Sequence, residues 1–169
     1  MNQDELFKQA VEEYGKMIFR VCSHFFCSMD NAKDAYQETL LKIWLNIKSF
    51  RGEASLKTWI YRIAVNVCIT YLLKIKRNRS LFVPITKTVF NNSTTDGEIY
   101  KEEEGKLQFF RGFVDNLPAS DKALVSLYLE DLDTKDMSVI TGLSESNVRV
   151  RIHRIKNQIK NEWKLKHGT

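Results

Sequence analysis

The chain has 169 residues, of which 43% are hydrophobic and 28% charged, and its formal net charge is +5 at pH 7. This length suits one ordinary domain or two small ones, and the apolar content is typical of a globular protein. No run of about 18 apolar residues occurs and the N-terminus is acidic, so we expect no membrane span, no secretory signal and a cytoplasmic location.

The charge is unevenly distributed along the chain. Residues 51–80 hold seven Lys or Arg against one acid and residues 132–169 hold eight against four, whereas residues 81–105 are acidic. Two separated basic surfaces favour two contacts with a polyanion, most simply nucleic acid. Because only two Pro and seven Gly occur and long strand-like alternations are missing, we predict an all-α protein.

The cysteines Cys22, Cys27 and Cys68 are odd in number and lack the spacing of a disulfide framework. We interpret them as small buried apolar residues in a reducing compartment. His24 lies close to two of them, but no second pair of ligands accompanies it. We therefore expect no metal site and no cofactor.

Two amphipathic helices open the chain, the first from Asp4 to about Phe26 and the second from Ala32 to about Ile47. The second places an apolar face against the core, formed by Tyr36, Leu40, Ile43 and Trp44. Its other face mixes polar side chains with two leucines, in Asp34, Gln37, Glu38, Leu41, Lys42 and Leu45. Exposed leucines among polar groups are typical of a protein docking surface. We favour docking over a plain solvated face, and over a carboxylate pair for catalysis, because no nucleophile or metal ligand accompanies the acids.

A loop at residues 46–55 precedes a third helix from Leu56 to about Ile75, whose core stripe is Ile60, Ile63, Ala64, Val67 and Tyr71. Another side of this helix carries Trp59, Arg62 and Asn66 together. Bases stack on aromatic rings and form hydrogen bonds through their edges, so this side is a candidate platform for single-stranded nucleic acid. Taken alone, this feature favours the alternative of a partly buried Trp that closes a small core. The basic run at 74–79 continues the positive side of the helix and could contact a phosphate backbone.

Residues 78–105 lack helical periodicity and contain Pro84, a polar stretch at 91–97 and several acids, so they predict a flexible linker between two small domains. Beyond it, Leu107, Phe110 and Val114 predict a short helix that ends at Leu117-Pro118. Ser120 or Asp121 is the expected cap of the next helix.

Residues 132–156 predict a helix-turn-helix. Met137 and Ile140 share one face, Gly142 permits a sharp turn, and Ser144 can cap a second helix whose apolar stripe runs through Val148 and Ile155. The opposite face carries Ser146, Arg149, Val150, His153, Arg154 and Asn157, with Arg151 on the flank. Such a face suits a DNA major groove, although an ordinary helical hairpin with a solvated basic face remains the alternative.

Four blocks of sequence together resemble one family. DAYQET at residues 34–39, SFRGEASLKTWIYRIAVN at 49–66, LP at 117–118 and GLSESNVRVRIHRIK at 142–156 occur in the order found in bacterial RNA polymerase sigma factors of the extracytoplasmic-function (ECF) group. The resemblance implies residues 1–77 as region 2, which binds polymerase and opens the minus-ten element, 78–105 as the linker, and 106–169 as region 4, which reads the minus-35 element.

The resemblance also implies which residues do this. Those expected at the minus-ten strand are Phe50, Arg51, Ser55, Lys57, Thr58, Trp59, Arg62 and Asn66. Those expected at the minus-35 duplex are Ser146, Arg149, Val150, Arg151, His153 and Arg154. Those expected to bind core RNA polymerase are Asp34, Gln37, Glu38, Leu41 and Leu45. Promoter DNA, core polymerase and an anti-sigma factor are the partners that it implies.

The chain departs from the family pattern at Tyr36, Thr70, Leu73 and Val150. Val150 stands where Ser is frequent, so it can offer a base only an apolar contact, for instance to a thymine methyl. Two other functions are conceivable from the residues. A dimeric duplex-binding regulator leaves the Trp59 platform without purpose, and a nucleic-acid-processing enzyme lacks a metal-ligand set, a phosphate loop and a nucleophile-base pair.

Overall fold

The computed structural model describes residues 2–81 and 98–168, and their regular structure is entirely helical, which confirms the all-α prediction. Seven α-helices are described, namely α1 (Gln3–Phe25), α2 (Met29–Asn46), α3 (Leu56–Leu81), α4 (Glu98–Asp115), α5 (Ala119–Leu129), α6 (Thr134–Thr141) and α7 (Glu145–His167). A short 3-10 turn (Ile47–Ser49) follows α2.

The predicted linker at residues 78–105 overlaps two of these helices. The third helix continues to Leu81, beyond the end expected near Ile75, and the fourth begins at Glu98. Residues 82–97, which include Pro84 and the polar stretch, lie outside the described residues.

Short polar side chains cap several of the helices. Ser28, Asp133 and Ser144 accept hydrogen bonds from backbone N–H groups three residues later, at 3.4, 2.7 and 3.2 Å. The capping prediction for α5 is wrong, because this helix begins directly after Pro118 and has no side-chain cap. Pro118 lacks an N–H and already restricts the backbone at the helix start, so Asp121 is available for another role.

Helices α1, α2 and α3 pack around a common apolar core. Helix α1 buries Ala10, Met17, Val21 and Phe25, which recur at helical spacing. Trp44, predicted on the core face of α2, is instead exposed at the edge of that helix, where its Nε1 lies 3.3 Å from Asp4 Oδ1. The rest of the predicted core face of α2 is confirmed, since Ile43 is buried and Tyr36 and Leu40 pack, partly buried, against the core. The helix also buries Ala32, Ala35 and Thr39. Small residues let helices approach closely, and Thr39 remains compatible with burial because its hydroxyl donates to Ala35 O at 2.7 Å.

Two of the three cysteines are buried as predicted, and their sulfur atoms lie 3.7 Å apart between α1 and α3. The hydrogen bond with Cys22 and burial raise the pKa of Cys68, so Cys68 remains a protonated thiol. The prediction is wrong for Cys27, which is exposed. Cys27 lies two residues beyond the end of α1 and therefore falls outside the buried stripe of that helix.

The two halves of the chain share one core. Helix α5 packs on α1 and α3, helix α6 packs on α3, and buried residues of all four helices belong to the same apolar cluster. A second cluster, formed by Phe113, Val114, Leu117, Val125 and Ile155, joins α4, α5 and α7. Helix α3 consequently has a second buried face, with Tyr61, Val65, Cys68 and Leu72, in addition to the predicted one.

Polar groups also connect the two halves. Arg20 of α1 donates two hydrogen bonds to the Glu130 carboxylate, at 2.9 and 2.8 Å, and the Tyr61 hydroxyl lies 3.4 Å from the same carboxylate. Burial and the neighbouring Glu130 raise the pKa of Tyr61, which therefore stays a neutral donor. Glu130 thus links the end of α5 to both α1 and α3.

No helix in the described part of the chain is both long enough and apolar enough to cross a membrane.

Candidate nucleic-acid interface

The start of α3 is fixed by Ser55 and Thr58. The Ser55 hydroxyl accepts from Thr58 N at 3.0 Å and lies 2.8 Å from the Thr58 hydroxyl. Thr58 is buried. Both hydroxyls are therefore engaged in shaping the helix start, which sets the direction in which the next residue, Trp59, projects.

A small cavity of about 160 Å³ lies in front of this helix start. Its walls include Phe50, Arg51, Trp59 and Arg62, all of them predicted minus-ten residues. The rings of Phe50 and Trp59 lie 5.4 Å apart at an angle of 52°. Two aromatic faces beside two guanidinium groups can stack a base and neutralise a phosphate.

Thr58 of this group also lines the cavity, whereas Lys57 and Asn66 do not. Asn66 lines a separate, larger groove of about 920 Å³ between α2 and α3, and Trp59 lies in the wall of both spaces. Lys57 places its ammonium 5.9 Å from the centroid of the Tyr61 ring. The structure therefore brings Phe50, Arg51, Thr58, Trp59 and Arg62 together, while Asn66 lies in the neighbouring groove that shares Trp59 as a wall.

One wall of the small cavity comes from the other half of the chain. Val139, an exposed residue of α6, lines the cavity beside Trp59. This contact could not be predicted from the sequence, because Val139 lies 80 positions away from Trp59 and outside the buried face of its own helix.

The predicted docking face of α2 borders the larger groove. Leu41 and Leu45 are exposed, as expected, and Asp34, Gln37, Glu38 and Leu41 all line the groove. The Tyr71 hydroxyl donates to Asp34 Oδ2 at 3.0 Å, and burial together with this hydrogen bond raises the pKa of Tyr71. Tyr71 therefore holds Asp34 in place across the groove.

The helix-turn-helix forms as predicted from α6 and α7. Gly142 has φ = +74°, a conformation that favours glycine, and its N–H donates to Ser138 O at 2.9 Å. Met137, Ile140, Val148 and Ile155 are buried. The unit is thus held by its own apolar contacts and presents the far side of α7 outward.

The outward side of α7 carries exposed residues of the predicted reading face. Val150 is 67% exposed and presents an apolar side chain, and the exposed Arg149 pairs with Glu145 one helical turn earlier at 3.1 Å. His153 Nε2 lies 3.0 Å from Asn157 Nδ2. Ser146 is also exposed, at the first turn of the helix. This side can therefore offer donors, acceptors and an apolar contact to a DNA groove.

Two arginines of α7 converge on one carboxylate. Arg151 donates to Asp121 Oδ1 through Nε at 2.9 Å and also through Nη2, while Arg154 Nη2 donates to Oδ2 at 3.1 Å. Arg151 additionally donates to Ser120 Oγ at 2.7 Å. The side chain of Arg151 is only 20% exposed, whereas that of Arg154 is 54% exposed. Of the two, Arg154 is thus the more available to a ligand.

Sequence reasoning missed Asp121 as a partner of these arginines. It lies 30 residues before Arg151 and three residues after Pro118, where a capping role was the simpler interpretation. The sequence shows it only as the single acid of α5, which also carries Ser120, Lys122 and Ser126. In the described residues no group of three or more His, Cys, Asp or Glu side chains is arranged to hold a metal ion.

Two family descriptions match this chain. Residues 10–78 match Sigma-70 region 2, and residues 110–159 match Sigma-70, region 4. The chain is 30% identical over 147 residues to the ECF RNA polymerase sigma-E factor of Haemophilus influenzae, with 81% of this chain and 77% of that protein covered. It is 24% identical to the ECF RNA polymerase sigma factor SigW of Bacillus subtilis, over 94% of this chain and 89% of that one.

The fold also resembles solved structures. The sigma factor RpoE from Bartonella quintana, solved in complex with the anti-sigma factor NepR, superposes with a TM-score of 0.67 at 22% identity, and covers 96% of this chain and 98% of its own. CnrH, solved in complex with the cytosolic domain of CnrY, gives a TM-score of 0.66 at 17% identity, over 99% and 92% of the two chains.

Proposed function

This chain belongs to the ECF sigma factors of bacterial RNA polymerase, and on that premise we propose how its surfaces divide the work of directing promoter recognition and opening. Residues 1–77 act as region 2, residues 78–105 as the linker and residues 106–169 as region 4. The two matched ranges, 10–78 and 110–159, support this division.

The small cavity at the start of α3 is proposed to hold the minus-ten non-template strand. Phe50 and Trp59 stack on an unstacked base, and Arg51 and Arg62 contact the backbone of the strand. Their location around one cavity of about 160 Å³ supports this assignment. Stacking then offsets part of the free energy needed to take the base out of the duplex.

Ser55 and Thr58 contribute by fixing the direction of Trp59, since their hydroxyls are engaged at the helix start. Lys57 adds positive charge near the strand, and Asn66 contacts it from the neighbouring groove beyond Trp59.

The outward side of α7 is proposed to read the minus-35 duplex, with Arg149 and Arg154 as donors and Val150 as an apolar contact. Ser146 and His153 flank them on the same side. The high exposure of Val150 and Arg154 supports this role. A bidentate arginine contact to guanine discriminates bases by about 1–3 kcal/mol, whereas Val150 can select only through a thymine methyl.

The face of α2 with Leu41 and Leu45 is proposed to bind core RNA polymerase. Two large apolar side chains stay exposed there, and Asp34, Gln37 and Glu38 surround them with hydrogen-bonding groups. An apolar centre with a polar rim is the usual anatomy of a protein interface.

We further propose that the protein has no catalytic activity of its own, that it acts in the cytoplasm, and that an anti-sigma factor is an additional partner. The free energy for melting then comes from binding, since this chain carries no ATP-binding motif.

The observation that carries this proposal is the pairing of an aromatic cavity in one half of the chain with an exposed basic reading helix in the other. Reconstitution with core RNA polymerase and run-off transcription from a genomic promoter library tests it. We expect transcripts from a defined set of promoters that share minus-ten and minus-35 elements. Failure of the chain to bind core polymerase contradicts the proposal.

The polymerase-binding face has its own test. Leu45→Lys places a charge at the centre of the docking face and should weaken binding to core polymerase at least tenfold, which corresponds to about 1.4 kcal/mol. Leu165→Lys is the matched control, because Leu165 is 87% exposed near the end of α7 and away from α2. Equal effects of the two substitutions contradict docking on α2.

A further inference from the structure

The acidic residue beneath the reading helix has no assigned role in DNA recognition. Asp121 lies on α5, is 4% exposed, and directs both carboxylate oxygens at arginines of α7. An acid so close to a DNA-facing surface repels phosphates, so a purely electrostatic view predicts that it weakens DNA binding.

We propose that Asp121 is a positioning residue for minus-35 recognition, which fixes the two arginines and orients the exposed one toward the bases. This inference rests on the proposed function of α7 as the reading helix. It assigns different tasks to two arginines that sequence alone places in the same group.

Arg151 is a structural support in this arrangement rather than a reader of bases. Its Nε and Nη2 groups are directed at Asp121, Nη2 also reaches Ser120, and its side chain is mostly buried. A guanidinium group that donates two hydrogen bonds to a buried carboxylate is held in one orientation. Arg151 therefore ties α7 to α5 and sets the angle at which the reading helix leaves the domain.

Arg154 is held by the same carboxylate but remains available. It directs one N–H at Asp121 Oδ2, and a guanidinium carries five such donors, so four can still meet a base or a phosphate. A long side chain that is already ordered loses less conformational entropy when it binds. The contact with Asp121 therefore favours one orientation of Arg154 before DNA arrives.

The contact does not involve the residues that pair across the two halves of the chain. Asp121, Arg151 and Arg154 all lie within residues 106–169, and neither Arg20 nor Glu130 takes part in it. Asp121 can thus act equally in the free chain and in the polymerase-bound state.

Asp121→Asn separates positioning from electrostatics, because it keeps the shape of the side chain but removes the charge. The test uses the full chain with core polymerase and two duplexes: one carries the minus-35 element of a promoter found by run-off transcription, and in the other that element is scrambled. Positioning predicts on the order of tenfold weaker binding to the cognate duplex, with binding to the scrambled duplex unchanged or tighter. Tighter binding to both duplexes overturns the proposal.

Glu145→Gln is the matched control. It makes the same change of charge on α7, next to Arg149, but Glu145 and Arg149 form an exposed pair one helical turn apart. Such pairs constrain side chains little. We expect unchanged or slightly tighter binding to both duplexes, and a cognate-specific loss equal to that of Asp121→Asn contradicts a special role for Asp121.

A double-mutant cycle asks whether Asp121 acts through Arg154. If it does, Asp121→Asn changes cognate binding much less in the Arg154→Ala background than in the wild-type chain. Additive effects of the two substitutions overturn the proposal. Should Asp121→Asn unfold the domain, Asp121→Glu replaces it, since this variant keeps the charge but displaces the carboxylate, and it should also weaken cognate binding selectively.

The outcome distinguishes this inference from the proposed function. If the wild-type chain fails to distinguish cognate from scrambled duplex, the assignment of α7 as the reading helix fails. If the wild-type chain distinguishes them and Asp121→Asn does so equally well, only the positioning role fails.

Discussion

The surroundings of Trp59 and Arg154 differ, and they suit these side chains to different proposed roles. Trp59 forms a wall of both the small cavity and the larger groove. In the small cavity the centroid of its ring lies 5.4 Å from that of Phe50, and in the larger groove it shares the lining with Asn66. Arg154 keeps a largely exposed guanidinium on the outward side of α7. Residue-level tests should therefore separate strand capture from duplex recognition.

Trp59→Ala removes the larger aromatic face of the small cavity, so we expect promoter opening to be impaired more than duplex binding. Fluorescence of 2-aminopurine in the minus-ten element reports opening, and binding to a minus-35 duplex reports recognition.

Arg154→Ala should show the reverse pattern and weaken minus-35 binding by about 1–3 kcal/mol if the contact is bidentate. Equal loss of duplex affinity in both variants contradicts the division of labour.

His24 gives a pH-dependent test of the interface between α1 and α5. Its Nδ1 atom is buried and has no hydrogen-bond partner among the described residues. Burial lowers the pKa of His24 from its ordinary 6.5, partly opposed by the nearby Glu130 carboxylate. When the folded-state pKa lies below the unfolded value, the unfolded chain takes up the proton first as the pH falls.

The contribution of His24 to stability is therefore complete above about pH 6.5, the ordinary value, and is lost as the pH falls through the folded-state pKa. We expect the free energy of unfolding to decrease between pH 7 and pH 5, measured by urea denaturation, and to decrease less in His24→Gln. Parallel pH dependence in the two proteins contradicts this prediction.

At the scale of elements, the tight turn of the helix-turn-helix depends on one glycine. Gly142 has φ = +74°, and a methyl group at its Cα would have open space, with no atom of a non-neighbouring residue within 4 Å. A substitution at Gly142 is therefore unfavourable because of backbone strain and not because of a steric clash. The turn fixes the angle between α6 and α7, so backbone strain here acts directly on the reading helix.

Gly142→Ala should reduce the free energy of unfolding by about 1 kcal/mol, since an L-residue in this conformation costs roughly 1–2 kcal/mol. Gly112→Ala is the control, because Gly112 lies inside α4 with open space around a built Cβ. Alanine there should stabilise the helix by about 0.5–1 kcal/mol. Chemical denaturation measures the free energy of unfolding of both variants. A change of the same sign in the two variants contradicts the prediction.

For the molecule as a whole, the two surfaces proposed to contact DNA belong to halves of the chain that pack on one shared core. Elements centred near minus-ten and minus-35 are about 25 base pairs apart, or roughly 85 Å of duplex at 3.4 Å per base pair. Here Val139 of the helix-turn-helix lines the same cavity as Trp59. On the proposed assignments, we therefore expect region 4 to move away from region 2 before both elements are bound.

The pairing of Arg20 with Glu130 opposes this separation. Hydrogen bonds to charged groups contribute about 1.5–3 kcal/mol, and the 55% exposure of Arg20 places this pair at the lower end. The double substitution Arg20→Ala and Glu130→Ala should shift the chain toward an open form with a larger radius of gyration in small-angle scattering. Lys106→Ala, which breaks the exposed pair with Glu102, is the control. An unchanged radius in the double variant contradicts the prediction.

Much of the local structure followed from the sequence because its causes are local. Helix periodicity, the cap at Ser144 and the left-handed conformation at Gly142 depend on near neighbours in the chain, and each was predicted. The exposure of Leu41 and Leu45 was also predicted, since both lie on the polar side of an amphipathic helix. The assignment of individual site residues to DNA and polymerase remains a prediction.

Other features were decided by the tertiary structure alone. The second buried face of α3, the exposure of Trp44, and the contact of Val139 with the Trp59 cavity depend on how distant segments pack. The partner of Arg151 and Arg154 is likewise set by the placement of α5 against α7. Hydrophobic periodicity shows which faces are apolar, but it does not identify which helix covers them. The sequence by itself therefore determined the helices and the chemistry of their exposed sides, and the packing of the helices determined which of those side chains remain available.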